Sequence, residues 1–150
     1  MQIPQAQELA HTLMAQYGLN TWRFLFDQSV RRFGCCNHSK QQISLSAKLT
    51  KLNDEAVVRD TILHEIAHAL APVTAGHNRQ WRQIALSIGC NGQRAYSHQD
   101  VVTPEKKYTG VCPNCQRVIK RHRRSGIACG KCCRLHNGGR FSEQYKFVWN

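Results

Sequence analysis

The chain has 150 residues and is 41% hydrophobic, enough for one modest core with a small appendage and too little for two full domains. Its formal charge of +12 is uneven, with 10 basic against 7 acidic residues up to residue 100 and 11 against 2 beyond it. This points the last third toward a polyanion, most often nucleic acid, although charge alone leaves a solvated basic face equally open. No apolar run reaches the ~18 residues of a membrane span, and the opening MQIPQAQELA lacks the charged-then-apolar pattern of a secretory signal, so the expectation is a soluble intracellular protein with no membrane association.

The first element is an amphipathic helix over residues 5–17, QAQELAHTLMAQY, with Leu9, Leu13 and Met14 at helical spacing, Ala6, Ala10 and Tyr17 extending the stripe, and Gly18 as a stop. Three β-like runs follow: WRFLF at 22–26, VRRFGCC at 30–36 and QQISLSAKL at 41–49. They predict a small, mostly antiparallel sheet. Asn53 or Asp54 can cap a second helix from about residue 55 to Leu70, broken by Pro72. A third helix runs from about Asn78 to Ile88, placing Trp81, Ile84, Ala85 and Ile88 on one side, and stops at Gly89. The polar stretch from Gln93 to Lys107 reads as a linker, and from Tyr108 onward cysteines and basic residues replace aliphatic ones. The expected organisation is therefore residues 1–105 as one domain and 106–150 as a second, smaller element.

The second helix contains HEIAH. His64 and His68, four residues apart, share one helix face, one turn above the other, which suits a two-point grip on a metal ion. Glu65 beside them can serve a water at the metal as general base. A third ligand is needed for an open catalytic zinc site. The extended pattern with glycine at 71 and histidine at 74 is absent, since Ala71 and Thr74 stand there, and residues 72–99 contain no Asp or Glu. His77, in AGHNRQW, remains, and Gly76 allows the turn that would bring it back after Pro72. Core histidines satisfied by carbonyls are the bland alternative. Burying two imidazoles and a carboxylate among Ile62, Leu63, Ile66 and Ala67 without a metal would be costly.

Cys112 and Cys115 (CPNC) are followed, after thirteen intervening residues, by Cys129 and Cys132 (CGKC). Two such pairs in a reducing compartment predict a closed four-thiolate structural zinc site, a zinc ribbon, with adjacent Cys133 as a competitor for the fourth position. Redox use of the C-x-x-C pairs would need a βαβ context that the sequence lacks. Between the pairs Lys120, Arg121, Arg123 and Arg124 crowd toward a turn at Ser125 and Gly126, placing a basic tip where phosphates could be held. Tyr145, Phe147 and Trp149 alternate as along one strand face, for stacking on bases or, more often, for covering a small core. Cys35, Cys36 and Cys90 lack partner spacing and read as buried thiols.

The combination of HEIAHAL, GHNRQW, and a C-terminal CPNC and CGKC pair around a basic hairpin resembles the SprT family, whose eukaryotic relatives include DNA-protein crosslink proteases of the Spartan type. RFGCCNHSKQQISLSAKL is similar to the family's strand segment before the metal helix. The resemblance implies an α+β fold: a zincin-like metalloprotease domain of helices on a small sheet, then the zinc ribbon. It implies two Zn2+ ions, one catalytic on His64, His68 and His77 with Glu65 as general base, and one structural on Cys112, Cys115, Cys129 and Cys132. It implies DNA as a partner through the basic ribbon and DNA-bound or crosslinked proteins as substrates, in the cytoplasm or at a prokaryotic nucleoid. GHNRQW departs from the family's GHGPEW-like surroundings, and no long tail follows the ribbon. The competing reading is a nucleic-acid-binding zinc protein or regulator whose HEIAH site is silent. For the protease reading, an extended substrate is expected to lie along the sheet near Gln42–Ser46.

Overall fold

Pro4 opens the first helix, where its missing N–H costs nothing, and the helix α1 (Ile3–Gln16) turns Ala6, Ala10, Leu13 and Met14 inward. Gly18, at φ 76°, ends it in a conformation that side-chain-bearing residues avoid. The computed structural model describes residues 1–95 and 101–150. Its contacts divide the chain into two compact units, Met1–Pro104 and Glu105–Asn150.

In the first unit three strands, β1 (Arg23–Asp27), β2 (Gly34–Asn37) and β3 (Gln42–Ser46), form a sheet in the order β1-β3-β2. β2 pairs antiparallel with β3, from Gly34↔Leu45 to Asn37↔Gln42, while β1 pairs parallel with β3, from Arg23↔Gln42 to Asp27↔Ser46. The sheet is therefore mixed rather than mostly antiparallel. The cause lies in β3, whose residues Ile43, Ser44, Leu45 and Ser46 are all buried, so that it must be covered on both faces and flanked on both sides. A strand of that kind takes the centre, and β1 and β2 are left as edges. Gln42–Ser46 is thus not an edge available to a peptide, as the sequence suggested; β2 is one.

The run read as a single strand to residue 49 breaks at Ser46. Its hydroxyl accepts the Leu49 N–H at 3.1 Å and caps a short helix, α2 (Ala47–Leu52). Asp54 then caps α3 (Glu55–Leu70), accepting the Val57 N–H at 3.0 Å. Buried residues occur on every side of α3 in its second half, from Thr61 through Ala67, because α1, β2 and a fourth helix, α4 (Arg79–Ser87), pack around it. Asn53 holds the returning chain: its side-chain amide donates to the Val102 carbonyl at 2.9 Å, and its Oδ1 accepts the Val102 N–H at 2.8 Å. Part of the stretch read as a linker is therefore bound to this unit, with Val101 buried in its core, and residues 96–100 lie outside the described residues.

The second unit is a small antiparallel sheet in the order β5-β4-β6, made of β4 (Tyr108–Val111), β5 (Val118–Arg121) and β6 (Val148–Trp149). A helix, α5 (Gly130–His136), and a 3-10 turn at Glu143–Tyr145 complete it. The aromatic stripe is not one strand face, because Tyr145 belongs to that 3-10 turn, Lys146 makes an isolated bridge to Ala128, and the strand itself is only Val148 and Trp149. Tyr145 and Phe147 are buried with the cysteines, and Trp149 lies over Gly110, where a Cβ would come within 2.9 Å of its ring.

Candidate metal centres

The Asp54 cap fixes where α3 starts, and ten and fourteen residues later the helix presents His64 and His68 on one face. The helix stops at Ala71, and Gly76, at φ 53°, closes the turn that returns the chain to His77. Asn78, accepting the Trp81 N–H at 3.1 Å, then starts α4. The outcome is a triad: His77 Nε2 lies 3.0 Å from both His64 Nε2 and His68 Nε2. A tetrahedral ion with Zn–N bonds near 2.05 Å requires ring nitrogens about 3.3 Å apart. The donor set and its spacing therefore fit zinc. Trp81, 1% exposed, packs against all three rings, with centroids 4.7, 5.1 and 4.6 Å from those of His64, His68 and His77.

Electrostatics support the same use. Burial, with the neighbouring His68 and His77, pushes His64 down to about 3, and burial with His77 and His38 takes His68 to about 4. His77 is lowered by burial and by the Arg94 charge. All three imidazoles are therefore neutral at pH 7, the form in which a ring nitrogen offers its lone pair.

Glu65 is 7% exposed. Burial raises its carboxyl to about 8 against the opposing pull of the Arg32 charge and the Cys36 backbone N–H. Its side chain lies directly against Gly34 of β2: a Cβ there would sit 2.5 Å from Glu65 Oε1 and 2.6 Å from Cγ. His64, Glu65, His68 and His77 all line one cavity of about 510 Å³. Gly34 and Arg32 shape this site without having been singled out from sequence. The glycine inside RFGCC was their one visible signal.

In the second unit, Cys112 and Cys115 occupy the turn between β4 and β5, while Cys129 is the N-cap of α5 and Cys132 lies in its first turn. The second pair is thus carried by a helix start rather than by a second hairpin. Cys112 Sγ is 3.8 Å from Cys132 Sγ, and Cys115 Sγ is 3.7 Å from Cys129 Sγ. Zn–S bonds near 2.3 Å place tetrahedral sulfurs about 3.8 Å apart, so this set also fits zinc. Cys132 joins the group and Cys133 does not; it is buried beside them. Backbone N–H groups of Cys132 and Lys131 help draw the Cys129 thiol down, while the neighbouring cysteines push Cys132 up, as thiols crowded together without a cation do. Asn114 Nδ2 donates to Cys132 Sγ at 3.4 Å, a supporting contact hidden inside CPNC.

Lys120 and Arg121 lie at the end of β5 and Arg123 and Arg124 just beyond it, all exposed and outside the cysteine group. The Arg124 guanidinium sits 5.1 Å from the centre of the Tyr108 ring. Cys35 and Cys36 are half-buried on β2, and burial lifts the Cys36 thiol to about 12.

The fold and its two sites define an α+β protein with, among the described residues, one histidine and one cysteine group, each spaced for a metal ion. The SprT-like family model matches residues 6–103, which is most of the chain, and the protein belongs to that family. The match covers the histidine triad and ends before Cys112. No curated protein and no solved structure matches it.

Proposed function

We propose that the protein is a zinc-dependent endopeptidase of SprT type, zincin-like in its first unit, that cleaves proteins bound or crosslinked to DNA. The observation that carries the reading is the convergence of three neutral imidazoles, His77 lying 3.0 Å from each of the other two, beside a buried carboxyl. Membership of the SprT-like family supports it. Zinc, when held by His64, His68 and His77, supplies a Lewis acid with an open coordination position.

The chain's own residues do the rest. Glu65, buried in the same cavity as the triad, takes the proton of the attacking water on a carboxylate oxygen and delivers it to the departing amine nitrogen. Among the described residues β2 pairs only with β3, so its outer edge can hydrogen-bond an extended substrate backbone with little dependence on side chains. Trp81 holds the three imidazoles from behind. The cysteine site, closed by four thiolates, has a structural role, and Lys120, Arg121, Arg123 and Arg124 hold DNA phosphates. Tethering to DNA then selects substrates by proximity, as an effective concentration. Among the described residues no helix is long and apolar enough to cross a membrane, and the proposed setting is the cytoplasm or a prokaryotic nucleoid.

The test is cleavage of a DNA-binding protein by the zinc-loaded enzyme, with and without DNA, beside Glu65→Gln. Cleavage that requires DNA and disappears in the variant is expected. Intact substrate in every lane, with DNA still bound, would instead favour a binding module with a silent site. Charge reversal at Arg121, Arg123 and Arg124 should weaken DNA binding and flatten its salt dependence, and unchanged binding would remove the ribbon from the reading.

A further inference from the structure

The cavity holding the histidine triad is flanked by arginine. Arg31 and Arg32, from the β1–β2 connection, and Arg94, from the chain after α4, all line it. Arg32 is committed: its Nη2 donates to Asp27 Oδ2 at 2.8 Å, and Ser44 Oγ donates to the same oxygen at 3.0 Å. Arg31 and Arg94 are exposed, and among the described residues neither has an ion-pair partner. Glu65 is the one carboxylate on the described lining, and it is buried. The charge of Arg94 acts on His77 and that of Arg32 on Glu65, so positive charge stands on two sides of the reacting centre.

We propose that this cleft selects acidic peptide segments, placing substrate carboxylates on either side of the scissile bond against Arg31 on the β2 side and Arg94 on the His77 side. The inference rests on the endopeptidase reading and names its substrate class. Guanidinium forks match carboxylates bidentately, and a concave site of one sign concentrates ligands of the other. A nucleic-acid backbone is the rival polyanion. The unpaired edge of β2 beside the cavity favours a peptide, because strand N–H and C=O groups pair with another peptide backbone. The choice also suits a target lying on DNA. Its basic segments are covered by phosphate, and its acidic segments face away and are free to enter a cleft.

Two labelled peptides, identical except that Asp and Glu around a neutral centre become Asn and Gln, are titrated with zinc-loaded Glu65→Gln protein, so that binding is read without turnover. The acidic peptide should bind roughly five- to tenfold tighter at low salt. That preference should shrink with added salt and collapse in a background that also carries Arg31→Gln and Arg94→Gln, with the thermal midpoint unchanged. Equal affinity for both peptides overturns the proposal, as does a full preference surviving in the double-arginine background. Competition by a dinucleotide that outbinds the acidic peptide would assign the arginines to nucleic acid and equally overturn it. Cleavage of a DNA-binding protein by the wild-type enzyme, with DNA present, is scored separately. It persists if only the acidic preference is wrong and vanishes if the endopeptidase reading is wrong.

Discussion

Gly34 is held by what its missing side chain leaves room for. A Cβ there would lie within 2.8 Å of three atoms of Glu65, so Gly34→Ala must push the carboxyl away from the triad. Displacement of a proton-transfer group by about 1 Å costs on the order of a hundredfold in rate. Gly34→Ala should therefore lose roughly that much peptidase activity while zinc content, measured by metal analysis, stays at wild-type level; full activity would place Glu65 outside the chemistry. Asp27 carries a different kind of prediction. Burial acts to raise its carboxyl, but the Ser29 N–H at 2.9 Å, the Arg32 guanidinium and the Ser44 hydroxyl outweigh it and hold the group below its ordinary range. A carboxyl lowered in the folded state stabilises above its unfolded pKa and loses that contribution as pH falls through the folded value. Asp27→Asn should thus cost about 1 kcal/mol at pH 7, and the gap to wild type in denaturant unfolding should narrow as pH drops below about 4. A gap independent of pH would mean that the ionised form contributes nothing.

Two helix caps separate stability from metal affinity. Asp54 starts α3 nearly three turns before His64, whereas Asn78 directly follows His77. Either cap replaced by alanine should cost about 1 kcal/mol. Only Asn78→Ala should also weaken zinc binding at the triad in a competition titration, because it frees the residue that aims His77; equal effects on zinc would refute that division. The cap of α3 was legible in sequence as Asn53 or Asp54, as were the start of α4 near Asn78, the apolar spacing of α1 and the helix carrying HEIAH, because each rests on short-range chemistry. Strand order was not. Nothing local in QQISLS says that β3 is central, since that follows from burial on both faces once the helices have packed. Ser46 as a cap for α2 was overlooked because the apolar alternation of a strand continues through it. That His77 would join His64 and His68 could be anticipated from one helix face and a glycine turn. The arginines around the cavity could not, because Arg31 and Arg94 are far apart in sequence and meet only through the fold.

At the scale of the molecule the two units differ in what holds each together. The first has a core of twenty buried residues, nearly all aliphatic or aromatic, so its stability rests on apolar burial rather than on a metal. The second has six buried core residues, of which four are cysteines. So few apolar side chains cannot offset the backbone entropy of a unit of this length, and structural zinc bonds of four thiolates are of the size that can. Removing metal with a strong chelator should therefore unfold the two units unequally. Backbone amide signals from residues 108–149 should collapse toward random-coil positions, while those of α1, α3 and β3 keep their dispersion. Adding zinc back should restore the first set in proportion to metal bound at the cysteines. Dispersed signals from residues 108–149 in fully metal-free protein would mean that Tyr145, Phe147 and Trp149 suffice as a core, and that the four thiols serve something other than the fold.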